Sequence, residues 1–406
     1  MIDTGSTGFM LIAASLVMLM TPGLAFFYGG LVGRKNVLGI MIQSFVSLVW
    51  TTVLWFAFGY SLCFSGGEGG VIGNLNMAFL AGTDLNSIFT GNNQIPLYVF
   101  VAYQMMFAII TPALISGAFT NRVRFPAYMI FLTLWLICVY FPLVHMVWGN
   151  GLLAQWGVLD FAGGIVVHAS AGMAALASVF YVGKRNIIER GPHSIPLVAL
   201  GTGLLWFGWY GFNAGSEFKV DNITVAAFLN TDVAASFAGV TWLFLAWILE
   251  KKPKLIGLLT GSVAGLATIT PAAGFITIGH AALIGIVAGV VCYFAVALKN
   301  KLQWDDALDV WGVHGVGGIL GVMMLGLFAS KAVNPMVTID GLLIGGSWEF
   351  FMKQAVSVFA VGAYCFVFTY IMLKAINLIT PVKVTRQEEE AGMDASLHGE
   401  IAYEQD

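Results

Sequence analysis

Eleven runs of about 18 or more apolar residues, joined by short polar connections, constrain this chain more than any other feature. They lie near 8–32, 38–64, 95–120, 125–147, 161–183, 196–214, 224–249, 255–273, 275–298, 308–329 and 354–373. Runs of this length suit helices that cross a hydrocarbon core, because a helix bonds all its backbone groups within the segment. They far exceed the ~10-residue strands of a membrane barrel. Hydrophobic residues make up 59% of the chain and charged ones 10%, with a mean hydropathy of +0.87. A water-soluble domain carries about 25% charged residues, so this chain cannot cover a solvent-facing surface. The predicted fold class is an all-α polytopic membrane protein with eleven transmembrane helices. A formal charge of −3 gives nothing that points to nucleic acid.

The distribution of basic residues predicts the orientation. All but Lys219, Lys331 and Lys353 of the 18 lysines and arginines follow spans 1, 3, 5, 7, 9 and 11, including Arg34, Arg122, Arg185, Arg190, Lys252, Lys299 and Lys383. Cytoplasmic loops carry such an excess, so the N-terminus is expected outside and the tail inside, in the cell membrane. The opening MIDTGSTGFM has no basic n-region, so a cleaved signal peptide is not expected. Cys63, Cys138, Cys292 and Cys365 sit in apolar runs without a CxxC pair and read as packing residues.

Two segments share a pattern. Asp160 stands eight residues before His168, and Asp306 eight before His314; each histidine continues as V-H-x-x-x-G, to Gly172 and Gly318. A second echo, Ile-Thr-Pro-Ala, occurs at 110–113 and 269–272. Both pairs lie five spans apart. An odd-numbered unit that repeats must enter the membrane from opposite faces, which predicts two inverted five-helix repeats with a site near the midplane. The divisions expected are 1–190 for the first repeat, 191–335 for the second, 336–380 for the eleventh helix and 381–406 for a cytoplasmic tail. Eight helical residues rise ~12 Å, against a core of ~30 Å. The two imidazoles therefore approach the midplane from opposite sides and come within reach of each other. Asp160 and Asp306 fall where helix caps belong; a direct proton-transfer role for Asp160 is the sharper alternative.

The stretches "PGLAFFYGGLVGRKN", "HMVWGNGLLAQWGVLDFAGGIVVH", "GWYGFNAGS", "DVWGVHGVGG" and the tail "EEEAGMDASLHGEIAYEQD" together resemble the Amt/Mep/Rh ammonium transporter family, over residues 8 to 406. The resemblance implies an eleven-helix homotrimer with one pore per subunit and no cofactor. It implies that His168 and His314 are twin histidines lining the pore, and that Phe107 and Phe212 are stacked rings closing its outer end. Trp148 and Ser216 match an outer recruitment site, with Tyr103 at an outer-mouth position more often held by phenylalanine. Asp160 matches the acid at the head of span 5 that conduction requires. A PII-type signalling protein is an expected partner at the cytoplasmic face, beside ammonium or ammonia and membrane lipid.

These residue types suit the task. Ring faces and a hydroxyl form a weak trap for a small cation that donates hydrogen bonds. An apolar bore offers nothing to replace a hydration shell, and a bare cation in it is costly. Ammonium escapes that penalty by leaving its proton and crossing as ammonia, while two facing imidazoles share a proton. The alternatives are an electroneutral ammonia or gas channel and an ammonium sensor of the same fold. A membrane metalloenzyme is disfavoured, because two histidines on separate helices lack metal-ligand spacing; no metal and no enzymatic activity are expected. Of the remaining polar residues, His145 is placed to order the Trp148 loop. His193 and His398 read as solvated, and His280 as a satisfied core histidine. Thr270 reads as pore wall or packing, and Glu349 with Lys353 as an i,i+4 pair.

Overall fold

The computed structural model describes residues 2–89, 94–188 and 191–403; Arg190 and the last three residues of the tail lie outside the described residues. Ten helices among them are long and apolar enough to cross a membrane. They are α1 (Thr4–Leu31), α2 (Val37–Phe64), α3 (Leu97–Phe119), α4 (Phe125–Trp156), α5 (Gly164–Val182), α6 (Ile195–Glu217), α7 (Asn222–Glu250), α9 (Ile278–Lys301), α10 (Trp311–Phe328) and α11 (Trp348–Ile379). The eighth apolar run forms a shorter helix, α8 (Leu255–Ile269), of 15 residues. It stops before Pro271 and continues as tight turns, with Ala272 N–H on the Ile269 carbonyl and Phe275 N–H on that of Ala272. Large side chains such as Phe207, Phe237, Phe244, Trp247, Phe359 and Phe368 are exposed on the outside, as a lipid-facing surface demands and a water-facing one forbids.

Local chemistry sets the ends and the bends. Asp3 caps α1 and Asp221 with Thr224 forms a capping box at α7. Helix α11 begins six residues before the expected position, because Glu349 and Lys353 pair at 2.8 Å across its first turns. In α4 a π-helical turn, Leu136–Tyr140, precedes Pro142. Proline has no N–H to give the carbonyl four residues back. The Tyr364 hydroxyl of α11 donates to that carbonyl, on Cys138, instead.

The two histidine helices cross at glycines. A Cβ on Gly172 would stand 2.1 Å from Cα and N of Gly315, and one on Gly318 would stand 2.6 Å from Ala169 N. The glycine of each V-H-x-x-x-G motif thus makes room for the backbone beside the other motif's histidine. Each helix start also leans on a distant segment: Phe161 N–H bonds to the Pro271 carbonyl, and Ala307 N–H to that of Ala118.

The tail is packed rather than free. Val123 and Lys383 form an antiparallel bridge. A short helix, α12 (Arg386–Ala391), follows. Its Glu388 takes Arg124 at 2.8 Å on both oxygens, and Glu389 accepts from Asn186 and from Ile187 N–H. Asp394 accepts the Gly39 N–H at the start of α2 at 2.7 Å. Two expectations change here. His193 is half-buried, its Nδ1 2.9 Å from the Val32 carbonyl and its Nε2 3.0 Å from the Tyr403 hydroxyl, and the His398 ring packs edge-on against Phe125. Neither is merely solvated, because the tail folds back onto the helix ends, bringing Tyr403 to His193 and His398 to Phe125.

Candidate functional site

Three cavities lie in series: Phe107 of the first packs on Phe212 of the second, and the second and third share walls. The first, called outer after the orientation that the basic residues predict, has about 480 Å³ and is lined by Trp148, Phe107, Ser216, Asp160 and Phe161 among others. The middle one holds only about 10 Å³ between Phe212, Trp209, His168, His314 and aliphatic side chains such as Leu114 and Val263. That is space for roughly one water-sized molecule. The inner one, of about 210 Å³, shares Phe27, Val263 and His314 with the middle one and opens past Asp309 and Arg185.

Phe107 and Phe212 close the outer cavity from the middle one, their ring centroids 4.2 Å apart at 32°. Both are about 1% exposed. Trp148 meets Phe107 edge-on at 5.8 Å, and its Nε1–H is fixed on the Asp160 carbonyl at 2.9 Å. His145 steadies the turn that follows: its Nδ1 sits 2.9 Å from the Cys63 carbonyl, and its own carbonyl accepts from Gly149 and Gly151 N–H.

Both histidines sit in π-helical turns that begin their helices, Gly164–Ala169 and Trp311–Gly315. Such turns are rare and widen the helix, and they concentrate at functional sites. The backbone groups left over are gathered by the aspartates. Asp160 Oδ1 accepts from Gly163 and Gly164 N–H at 2.8 and 2.7 Å, and Oδ2 from Ile165 and Val166 at 2.8 and 3.2 Å. Asp306 accepts from Val310 and Trp311 N–H at 3.1 and 2.8 Å, and Lys299 bonds its carbonyl. Both carboxylates are buried and turned into the backbone, the geometry of a cap.

The imidazoles meet Nδ1 to Nδ1 at 3.2 Å, with the rings 19° from parallel. One Nδ1 must carry the hydrogen and the other the lone pair. The Nε2 atoms then hold opposite roles: the ring that donates at Nδ1 has a bare Nε2, and its neighbour has Nε2–H. His168 Nε2 has no hydrogen-bond partner among the described residues. Its ring stacks on Trp209 at 5.4 Å and 23°, and Trp209 Nε1–H bonds Thr270 Oγ1 at 2.9 Å. Thr270 therefore anchors a wall residue and does not itself line the three cavities. Trp209 is a neighbour that sequence reasoning missed. It lies three residues before Phe212, on the same helix face, inside a stretch already singled out.

Two sequence expectations need correction. Tyr103 is fully buried and lines none of these cavities. Its hydroxyl donates to the backbone of α6, 2.8 Å from the carbonyls of both Gly211 and Phe212, and lies 3.2 Å from Ser216 Oγ. The hydroxyl thus braces α6 and does not enrich the vestibule. His280 is not in the core: it is half-buried in the first turn of α9, its Nδ1 3.0 Å from Thr277 Oγ1 and its ring stacked on Phe328 at 4.5 Å.

A polytopic helical membrane protein with a narrow, ring-gated apolar passage and a histidine pair at its centre is a transport-type architecture. The chain belongs to the Ammonium Transporter Family, whose model matches residues 8–403. It is 44% identical over 402 residues to an ammonium transporter of Bacillus subtilis (strain 168), covering 98% of each chain. It is 42% identical to the ammonium transporter Amt1 of Archaeoglobus fulgidus (strain ATCC 49558 / DSM 4304 / JCM 9628 / NBRC 100126 / VC-16), covering 98% of this chain and 99% of that protein. Among solved structures it resembles Candida albicans Mep2, with a TM-score of 0.87 at 36% identity over 95% of this chain and 88% of that one. It also resembles a sensor Amt protein, with a TM-score of 0.88 at 28% identity over 97% and 98%.

Proposed function

We propose that the chain carries ammonium across the cell membrane by separating it into ammonia and a proton. Trp148, Phe107 and Ser216 hold the cation in the outer cavity by ring faces and a hydroxyl. The Phe107–Phe212 stack admits the neutral molecule. The middle cavity, with room for one small molecule among apolar walls, carries ammonia where a charged ion would meet a large desolvation penalty. The proton takes the histidine pair: it arrives at His168 Nε2, the shared hydrogen shifts across the 3.2 Å gap, and a proton leaves from His314 Nε2 toward the inner cavity. Asp160 and Asp306 act as caps that fix both helix starts.

The single observation that carries this reading is the direct Nδ1–Nδ1 contact between two buried imidazoles, each on a separate helix and each lining the narrow passage. The test is electrical recording on proteoliposomes with ammonium against potassium. The native chain should give current with ammonium and none with potassium. Replacing both histidines by residues that cannot titrate should abolish the ammonium current. A current that survives that replacement, or one carried by potassium, ends the relay. Ammonia flux without current in the native chain favours the electroneutral channel.

The same reading includes eleven spans with α8 as the eighth, two inverted halves at 1–190 and 191–335, the eleventh helix and an inward tail. The mirrored motifs and the charge bias support it. A homotrimer and a PII-type partner at the tail follow from the family resemblance, and sedimentation and a binding titration test them. The likeness to a sensor Amt protein keeps a sensing role as the second reading, distinguished by the absence of flux.

A further inference from the structure

Lys219 is one of three basic residues that break the charge bias of the loops, and it lines the outer cavity together with Glu217. Glu217 ends α6 directly after Ser216 and is only 9% exposed. Its carboxylate meets Lys219 Nζ at 3.2 Å, and the same Nζ reaches Asp221 at 3.0 Å. Between them Phe218 holds φ at 59°, a left-handed conformation disfavoured for a residue with a Cβ. Its ring is fixed against Phe100 at 5.2 Å and Tyr103 at 5.5 Å. The turn thus presents both flanking charges to one cavity. A second group points to a ligand there. Gln104 lines the same cavity at 5% exposure, and its Oε1 has no hydrogen-bond partner among the described residues. An amide oxygen is an acceptor only, so it suits a cation rich in N–H.

A lysine head is an alkylammonium, which offers a carboxylate three N–H donors much as ammonium offers its own. We propose that Glu217 is a cation-binding group of the outer vestibule. Lys219 occupies it as a tethered alkylammonium, until an arriving ammonium or methylammonium ion displaces it onto Asp221. The inference rests on the transport reading above. It assigns the vestibule a built-in competitor, so that half-saturation depends on the tethered amine as well as on the ring faces.

The test measures ammonium-driven current in proteoliposomes against ammonium concentration, at constant ionic strength, for the native chain, Lys219→Met, Glu217→Gln and the double variant. Lys219→Met should lower the half-saturating concentration about three-fold with the maximum unchanged, the scale of a partly exposed ion pair. Glu217→Gln should raise it by a similar factor, and adding Lys219→Met in that background should no longer lower it. Lys219→Arg keeps the charge and should stay near the native value. Lys331→Met, at a lysine that does not line the cavity, should leave half-saturation unmoved. Native half-saturation in Lys219→Met, or an undiminished Lys219→Met effect without Glu217, overturns this inference alone. No ammonium response in the native chain overturns the transport reading and this one together.

Discussion

Replacing Gly172 by alanine tests whether the two histidine helices must cross as closely as they do. The new Cβ would stand 2.1 Å from Cα and N of Gly315 and 2.9 Å from the carbonyl carbon of His314, whereas ordinary contact begins at 3.4 Å. Both neighbours are backbone, so no side chain can step aside. The helices must part by about 1.3 Å, at a cost in stability of ~1–3 kcal/mol. Passed on to the imidazoles, that separation stretches the 3.2 Å contact to about 4.5 Å, outside hydrogen-bond range. Misplacement of about 1 Å costs a rate on the order of 10²-fold. Ammonium-driven current per mole of reconstituted protein should fall by that order, while the protein still elutes as one folded species with a modestly lower unfolding temperature. Gly203→Ala is the matched control, since nothing lies within 4 Å of its added Cβ. Full current from folded Gly172→Ala protein would refute the claim that this crossing sets the imidazole contact.

Three further outcomes are expected. Asp160→Ala strips four backbone N–H groups of their acceptor and Asp306→Ala two, so thermal unfolding in detergent should show the larger loss for Asp160→Ala, at ~1–3 kcal/mol for each buried group left unmet. Trp209→Phe removes the bond to Thr270 and shrinks the ring behind His168; stability should drop by about 1 kcal/mol, and maximal current should fall while half-saturation stays. On the tail side, burial pushes the Asp305 carboxyl up, but Arg185's hydrogen bonds and the charges of Arg122 and Arg185 outweigh it and hold the group below its ordinary 3.8. The folded state then binds that proton less readily, so the stabilisation is complete above pH 3.8 and is lost as pH falls through the folded value. The advantage of the native chain over Asp305→Asn in unfolding temperature should shrink as pH is lowered from 3.8.

Much of this was legible in the residues, for reasons that can be named. Run length exposed the spans because hydrocarbon thickness fixes how many residues a helix needs. The equal eight-residue offsets from Asp160 to His168 and from Asp306 to His314 exposed their meeting, because helical rise turns spacing into depth. The glycines four residues on are the reason the motif includes more than a histidine. What stayed hidden was rotation about the helix axis. The few polar residues of helices α3 and α6 form no continuous stripe, so nothing in the sequence shows which way Tyr103 points, and its hydroxyl turned out to face the α6 backbone. Trp209 was overlooked for the same reason, although its spacing from Phe212 would have revealed a shared face. The tail's contacts join residues hundreds of positions apart, such as Arg124 with Glu388, and no local pattern encodes them.

The carbonyls behind the two phenylalanines are held by hydroxyl groups. Thr111 Oγ1 bonds that of Phe107 at 2.6 Å, and Tyr103 and Ser216 bond that of Phe212 at 2.8 and 2.9 Å. On the transport reading proposed above, with the main chain pinned, the two rings serve as a pair of hinged doors in a fixed frame. On that reading they need only turn about their side-chain torsions, a faster class of motion than the μs–ms displacement of whole helices. A molecule then passes, on the same reading, without whole helices rocking against one another, and turnover is free of the slow step that alternating access imposes.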